Sequence, residues 1–256
     1  NFALLNTAQT AALTAAQLNG ITSAQVATFT TQEVSGLTAV QVKGLGSAQT
    51  AGLLSTQIVA IGTNALTALS AEAIKGLSTA SIAELTTTQA AVLTGSQVSA
   101  MSSTQLRSLQ TADVAALSTT AVNGLSGTAL QNFSTAQLDA LTSTQLLALA
   151  DTQIPFLSAS ALEVGMVGSL NSKQVAALTS TQLTAMSGAL FDALGTAQVS
   201  KISATAMPGI TTSSISTLTT QEVQQLTASQ LSKLTTAQVL VFQDPQVAAI
   251  STTAIS

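Results

Sequence analysis

The feature that most constrains this chain is an eight-residue period. Large apolar residues fall at Leu5, Leu13, Ile21, Phe29, Leu37 and Leu45, and they continue at every eighth position to Leu157. The register slips by five across residues 165–169 ("GMVGS"), restarts at Leu170 and again runs by eights to Ile250. An octad is too short to bury its own apolar face. A strict array of octads therefore predicts a solenoid, in which neighbouring repeats share one continuous core.

Numbering the leading apolar residue as position 0 gives each column a physical meaning. Position 1 is mostly Ser or Thr and position 4 mostly Gln, as in "LTSTQLLAL" (141–149) and "LTTTQAAVL" (85–93). A hydroxyl followed three residues later by an amide is the capping box of a helix N-terminus. Position 5 is a large apolar residue except at Thr10, Thr50 and Ala90, and with position 0 it forms the hydrophobic staple across that cap. Position 7 is mostly Ala or Gly, for instance Gly20, Gly36, Gly44 and Gly124, where a helix can end in a left-handed turn. One octad thus encodes a cap, a staple, about one and a half turns, and a stop.

The expected fold class is all-α: a superhelical solenoid of very short capped helices, one per octad. The alternative is a β-solenoid, which the Thr, Val and Ile content would also suit. Apolar spacings of five and three are both odd, so a straight strand would face them alternately to opposite sides. On a helix, position 5 and the next position 0 share a face. Three octads per coil is suggested by the Gln column. Gln89, Gln97 and Gln105 form one trio, Asp113, Ala121 and Ala129 replace the next, and Gln137, Gln145 and Gln153 form the third. The organisation reads as a single repeat domain over 1–256, with octads in 5–164 and 170–256 and a five-residue insertion at 165–169. "MPG" (207–209) and "QDPQ" (243–246) are irregularities that leave the frame intact. Starting and stopping inside the pattern, the chain reads as an excerpt of a longer array.

Composition narrows function mainly by exclusion. Charged residues are 6% of the chain, scattered singly, with a net charge of −4. No basic patch is available to neutralise phosphates, so nucleic acid is not an expected partner. Thr, Ser or Gln interrupts every apolar stretch, so no membrane span is expected. His and Cys are absent, which removes the commonest proton carrier and the usual soft metal ligands. "STQLRSL" and "LNSKQV" offer at most an imagined Ser–Lys pair, and Lys173 reads as a solvated residue on a helix surface. Asp139, Asp151, Glu163 and Asp192 are too dispersed to compose an acid–base pair. No catalytic, cofactor-binding or metal-binding residues are expected, and no enzyme activity. Asn132-Phe133-Ser134 matches a glycosylation sequon. Of six Phe, only Phe156 lies outside the apolar columns, which leaves a carbohydrate ligand little aromatic surface. Evenly spaced Thr also raises ice binding, a minor reading because caps place hydroxyls at corners.

The octads "LTTAQVLVF", "LTSTQLLAL" and "LTASQLSKL" resemble the L-T-T-x-Q-[VIL]-x-A-L arrays of very large repetitive surface proteins of Gram-negative bacteria. Those proteins are described as adhesins or as haem-utilisation and haemagglutinin-like proteins. The resemblance covers essentially the whole chain. It implies an extracellular or cell-surface location and a structural role, as a stalk or filament-forming segment. Self-association into filaments, end to end or laterally, is the expected partnership. An adhesin module that binds a glycan or host protein is the alternative.

Overall fold

The computed structural model describes residues 5–162 and 167–255, with Thr253 and Ile255 described for their backbone alone. Among the described residues there are helices and turns and no strand, so the β-solenoid alternative is excluded. The chain packs as two compact units, residues 1–148 and 149–256, and each is built on the same scheme.

The caps form as the columns predict. In the helix Ala15–Asn19, Gln17 N–H donates to Thr14 Oγ1 at 3.2 Å, while Thr14 N–H donates to Gln17 Oε1 at 2.8 Å. The same reciprocal pair closes Gly95–Ala100 in the first unit and Ser180–Ala185 in the second. Asn replaces the hydroxyl at Asn6 and Asn171 and caps equally well. The staple columns are the core: Leu18, Val42, Leu66, Ile74 and Val98 are fully buried, and Leu45, Leu69 and Leu93 nearly so.

The stop differs from expectation. No described residue has a positive φ, so the position-7 glycines do not provide left-handed turns. Gly44 ends its helix at φ −77° and ψ −12°, and Leu45 N–H then donates to Val42 O at 3.0 Å. That single tight turn takes up a carbonyl left over at the helix end. The corner follows at the next cap residue, which is extended at φ −73° and ψ 155° in the case of Leu54. At several position-7 glycines, though not at Gly20 or Gly36, the small residue instead allows a close approach of coils. A Cβ on Gly52 would lie 2.0 Å from Ser23 O, and one on Gly209 would lie 2.0 Å from Ser180 O.

Three octads make one coil. Helix Ala39–Lys43 packs on Thr63–Ala68, Ser47–Thr50 on Ala71–Gly76, and Thr31–Ser35 on Ser55–Ala60. In the second unit the 3-10 segment Ala204–Gly209 stacks on Ser180–Ala185, and Thr220–Gln224 on Asp244–Ala249. Both octads with a proline at position 6, Asp151–Phe156 and Ala204–Gly209, wind as 3-10 helix, since proline has no N–H for the α-helical bond.

Across the slip at 165–169 the described helices still stack, with a shorter spacing along the chain. Gly165 and Met166 lie outside the described residues, but Val167 is fully buried and occupies a position-5 site. Helix Ser172–Ala176 packs on Asp151–Phe156 across a separation three residues shorter than elsewhere.

Candidate functional site

Buried polar residues carry most of the chemistry in this chain. Gln97 has two jobs. Its Oε1 accepts Thr94 N–H at 2.9 Å, and its Nε2 donates to Leu66 O and Leu69 O at 2.8 and 2.9 Å. Those carbonyls lie 31 and 28 residues earlier, at the end of a helix in the preceding coil and at the corner after it. Gln57, Gln89, Gln105 and Gln145 repeat the arrangement in the first unit, and Gln198, Gln230, Gln238 and Gln246 in the second. One amide therefore starts a helix and stitches two coils together. Across the slip, Gln182 reaches Ile154 O and Leu157 O, 28 and 25 residues back, so the bond survives.

Exceptions in the columns are matched by their partners. Ser81 stands in a glutamine position and its hydroxyl donates to Leu53 O at 3.1 Å. Glu33 cannot donate, and there Thr10 supplies the hydroxyl, 3.3 Å from Glu33 Oε1. Thr50 Oγ1 donates to Ala73 O at 2.6 Å. Asp113 is 2% exposed and accepts Gln110 N–H at 3.3 Å. Burial raises its carboxyl above the ordinary 3.8, with the Gln110 hydrogen bond opposing in part. No buried side-chain nitrogen or oxygen among the described residues lacks a partner.

Surface side chains at position 6 tie forward to the next coil. Ser99 Oγ donates to Gly124 O, Asn123 Nδ2 to Ala148 O, Arg107 Nε to Asn132 O and Thr184 Oγ1 to Gly209 O, each across 25 residues. Sequence reasoning missed this ladder, as it missed the second role of glutamine. The signal was present only as position-specific polarity, and a partner 25 to 31 residues distant is invisible without a coil length.

The residues weighed from sequence are not brought together into a reaction centre. Lys173 is exposed, with its backbone N–H on Asn171 Oδ1. Asp192 accepts from Thr217 Oγ1 at 3.1 Å, and Asp151 accepts the Thr152 N–H. Glu163 lies outside the described residues. Among the described residues no three of His, Cys, Asp and Glu converge to hold a metal, and no helix is long and apolar enough to cross a membrane. In the sequon, Asn132 Nδ2 donates to Thr128 O, Phe133 is buried, and Ser134 caps the following helix.

The end of the second unit departs from this closed pattern. The described position-0 and position-5 residues are buried from Ile21 through Leu226, but Val239 and Val247 are each 53% exposed. With Leu231, Leu234, Phe242 and Ile250 they line an open apolar groove. The carbonyls of Leu234, Phe242 and Ile250 accept no hydrogen bond from described residues, although interior position-0 carbonyls such as those of Ile210 and Leu218 accept from glutamine. At the start of the first unit, Gln9, Gln17 and Gln25 cap their own helices through Oε1, and their Nε2 groups have no partner among the described residues.

Compared with known proteins, the chain matches no family model and no curated sequence.

Proposed function

We propose that this protein is structural, a stalk or filament-forming segment of a bacterial cell-surface fibre, as its octads suggest by their resemblance to repetitive surface proteins. The observation that supports this most is how its polar groups are used. Interior glutamine amides such as that of Gln97, and capping hydroxyls such as that of Thr94, are hydrogen-bonded to the chain's own backbone, within an octad or to the neighbouring coil. Little is left over to bind and transform a substrate, while every coil adds length by the same bonds. On this reading the protein is extracellular and associates with itself.

Electron microscopy of the purified protein, with protease shaving of intact cells that make it, tests the proposal. Elongated assemblies and surface cleavage are expected. Dispersed single particles, or complete protection in intact cells, would count against it.

An adhesin reading draws on one feature of the first unit, a shallow groove whose lining includes Thr94, Ser96, Ser99, Thr120 and Asn123 beside Gly95, Gly124 and Ala148. A glycan or a host peptide would meet hydroxyl and amide groups there. Binding on a glycan array that is lost in Asn123→Ala would favour this second function.

A further inference from the structure

The dipeptide Asn-Gly occurs twice, at Asn19-Gly20 and Asn123-Gly124, and both times it fills positions 6 and 7 of an octad. Each asparagine is the last residue of its helix, Ala15–Asn19 and Thr119–Asn123, and each is exposed. The backbone is alike as well: Gly20 has φ −81° and ψ −9°, and Gly124 has φ −70° and ψ −12°. Gly20 N–H donates to Ala16 O at 3.2 Å, and Gly124 N–H donates to Thr120 O at 3.1 Å. The side chains differ. Asn123 Nδ2 donates to Ala148 O in the next coil at 2.6 Å, across 25 residues. The Asn19 amide nitrogen donates to no described residue, although Gly44 stands at the same separation ahead of it. We infer that Asn19 is a site of spontaneous deamidation, and that the bond to Ala148 holds Asn123, in the same dipeptide, against the same reaction.

Asparagine is thermolabile, and a glycine after it leaves the attacking backbone nitrogen without a Cβ beside it. The Gly20 nitrogen loses its proton and bonds to Asn19 Cγ, the Cγ–Nδ2 bond breaks, and ammonia leaves with that proton. Water then opens the cyclic imide at either carbonyl, and the product is aspartate or isoaspartate. Both sites need the helix end to open first, because each glycine N–H is hydrogen-bonded. Only at Asn123 must the carboxamide also leave a partner before Cγ can turn to the backbone, and that raises the barrier. On the isoaspartate route the main chain is rerouted through Cβ and Cγ. Asn19 O, the carbonyl that accepts Gln49 Nε2 at 2.8 Å, then becomes part of a free carboxylate. The reaction therefore strikes one stitch between coils, while the other bond of Gln49, to Ile21 O at 2.8 Å, lies outside the altered residue.

Peptide mapping by mass spectrometry of the full chain, aged at mildly alkaline pH, reads both sites in one sample. In the native protein Asn19 is expected to deamidate at least about fivefold faster than Asn123. In concentrated guanidinium chloride the tie to Ala148 is gone, and the two sites are expected to react at similar rates. Gly20→Ala crowds the attacking nitrogen and is expected to slow the reaction at Asn19 while leaving Asn123 unchanged. Native rates that are equal, or faster at Asn123, would overturn the protection assigned to the Ala148 bond. The same fivefold contrast in guanidinium would overturn it too, because the difference would then lie in local sequence. A native chain in which Asn19 stays intact while the unfolded chain reacts would overturn the site itself. Deamidation at Asn19 undiminished in Gly20→Ala would overturn the imide route.

Discussion

At the scale of single residues, the double use of glutamine is the central device. Its carbonyl oxygen starts a helix and its amide nitrogen finishes the helix ends of the coil below, so one buried side chain satisfies groups in two places. Gln97→Glu separates these roles. The cap is retained, but a carboxylate now faces Leu66 O and Leu69 O, which should cost about 2–3 kcal/mol of unfolding free energy at neutral pH. The cost should shrink in acid, when the carboxyl becomes a donor. Gln17→Glu, where the amide nitrogen donates to no described residue, should change stability by less than about 0.5 kcal/mol. Chemical denaturation of both variants checks the contrast. Asp113 is the native departure from the column. Its folded pKa is raised, mainly by burial, so the folded state holds its proton more tightly than the unfolded chain does. That contribution is fully present below pH 3.8 and is lost as the pH rises through the folded value. Asp113→Asn is expected to raise neutral-pH stability and to remove that part of the decline in a stability–pH profile.

At the scale of the helix and its corner, caps and staples were legible because both partners lie within about five residues of each other. Thr142, whose hydroxyl accepts Gln145 N–H at 3.3 Å, is an example. Thr142→Ala should cost about 1 kcal/mol, read from the denaturation midpoint. The stop departs from expectation for a physical reason. A small residue after a helix signals either a left-handed turn or a close neighbour, and local sequence cannot tell these apart. Two glycines separate the causes. Gly52→Ala pushes a methyl into Ser23 and is expected to destabilise by about 1–3 kcal/mol. Gly188 stands in the first turn of its helix with nothing within 4 Å of a new Cβ, and Gly188→Ala is expected to stabilise by about 0.5–1 kcal/mol. Thermal unfolding of the pair distinguishes a packing role from a conformational one. The slip at 165–169 was likewise legible as a break in period, but the spacing of the helices that stack across it was not.

At the scale of the whole molecule, helices of four to six residues have no stability of their own, and each depends on the coils above and below it. Protection should therefore follow stacking and not local hydrogen bonding. Ile215 N–H donates to Thr211 O at 3.0 Å and Val247 N–H donates to Gln243 O at 2.9 Å, so the local bonds are alike. Ile215 is fully buried and Val247 is half exposed. In native-state hydrogen exchange the Ile215 amide should exchange at least about tenfold more slowly.

The sequence alone determined that this chain is an array of capped, stapled octads, because those interactions span fewer residues than one repeat and leave their mark in every column. It also hinted at three octads per coil through the glutamine trios. Only the tertiary structure decided that the amides bind carbonyls 28 and 31 residues away, that Gly52 and Gly209 mark contact between coils, and which helices stack across the slip. Each of these concerns groups brought together by coiling, and the distance along the chain at which they meet exists only once the coil has closed.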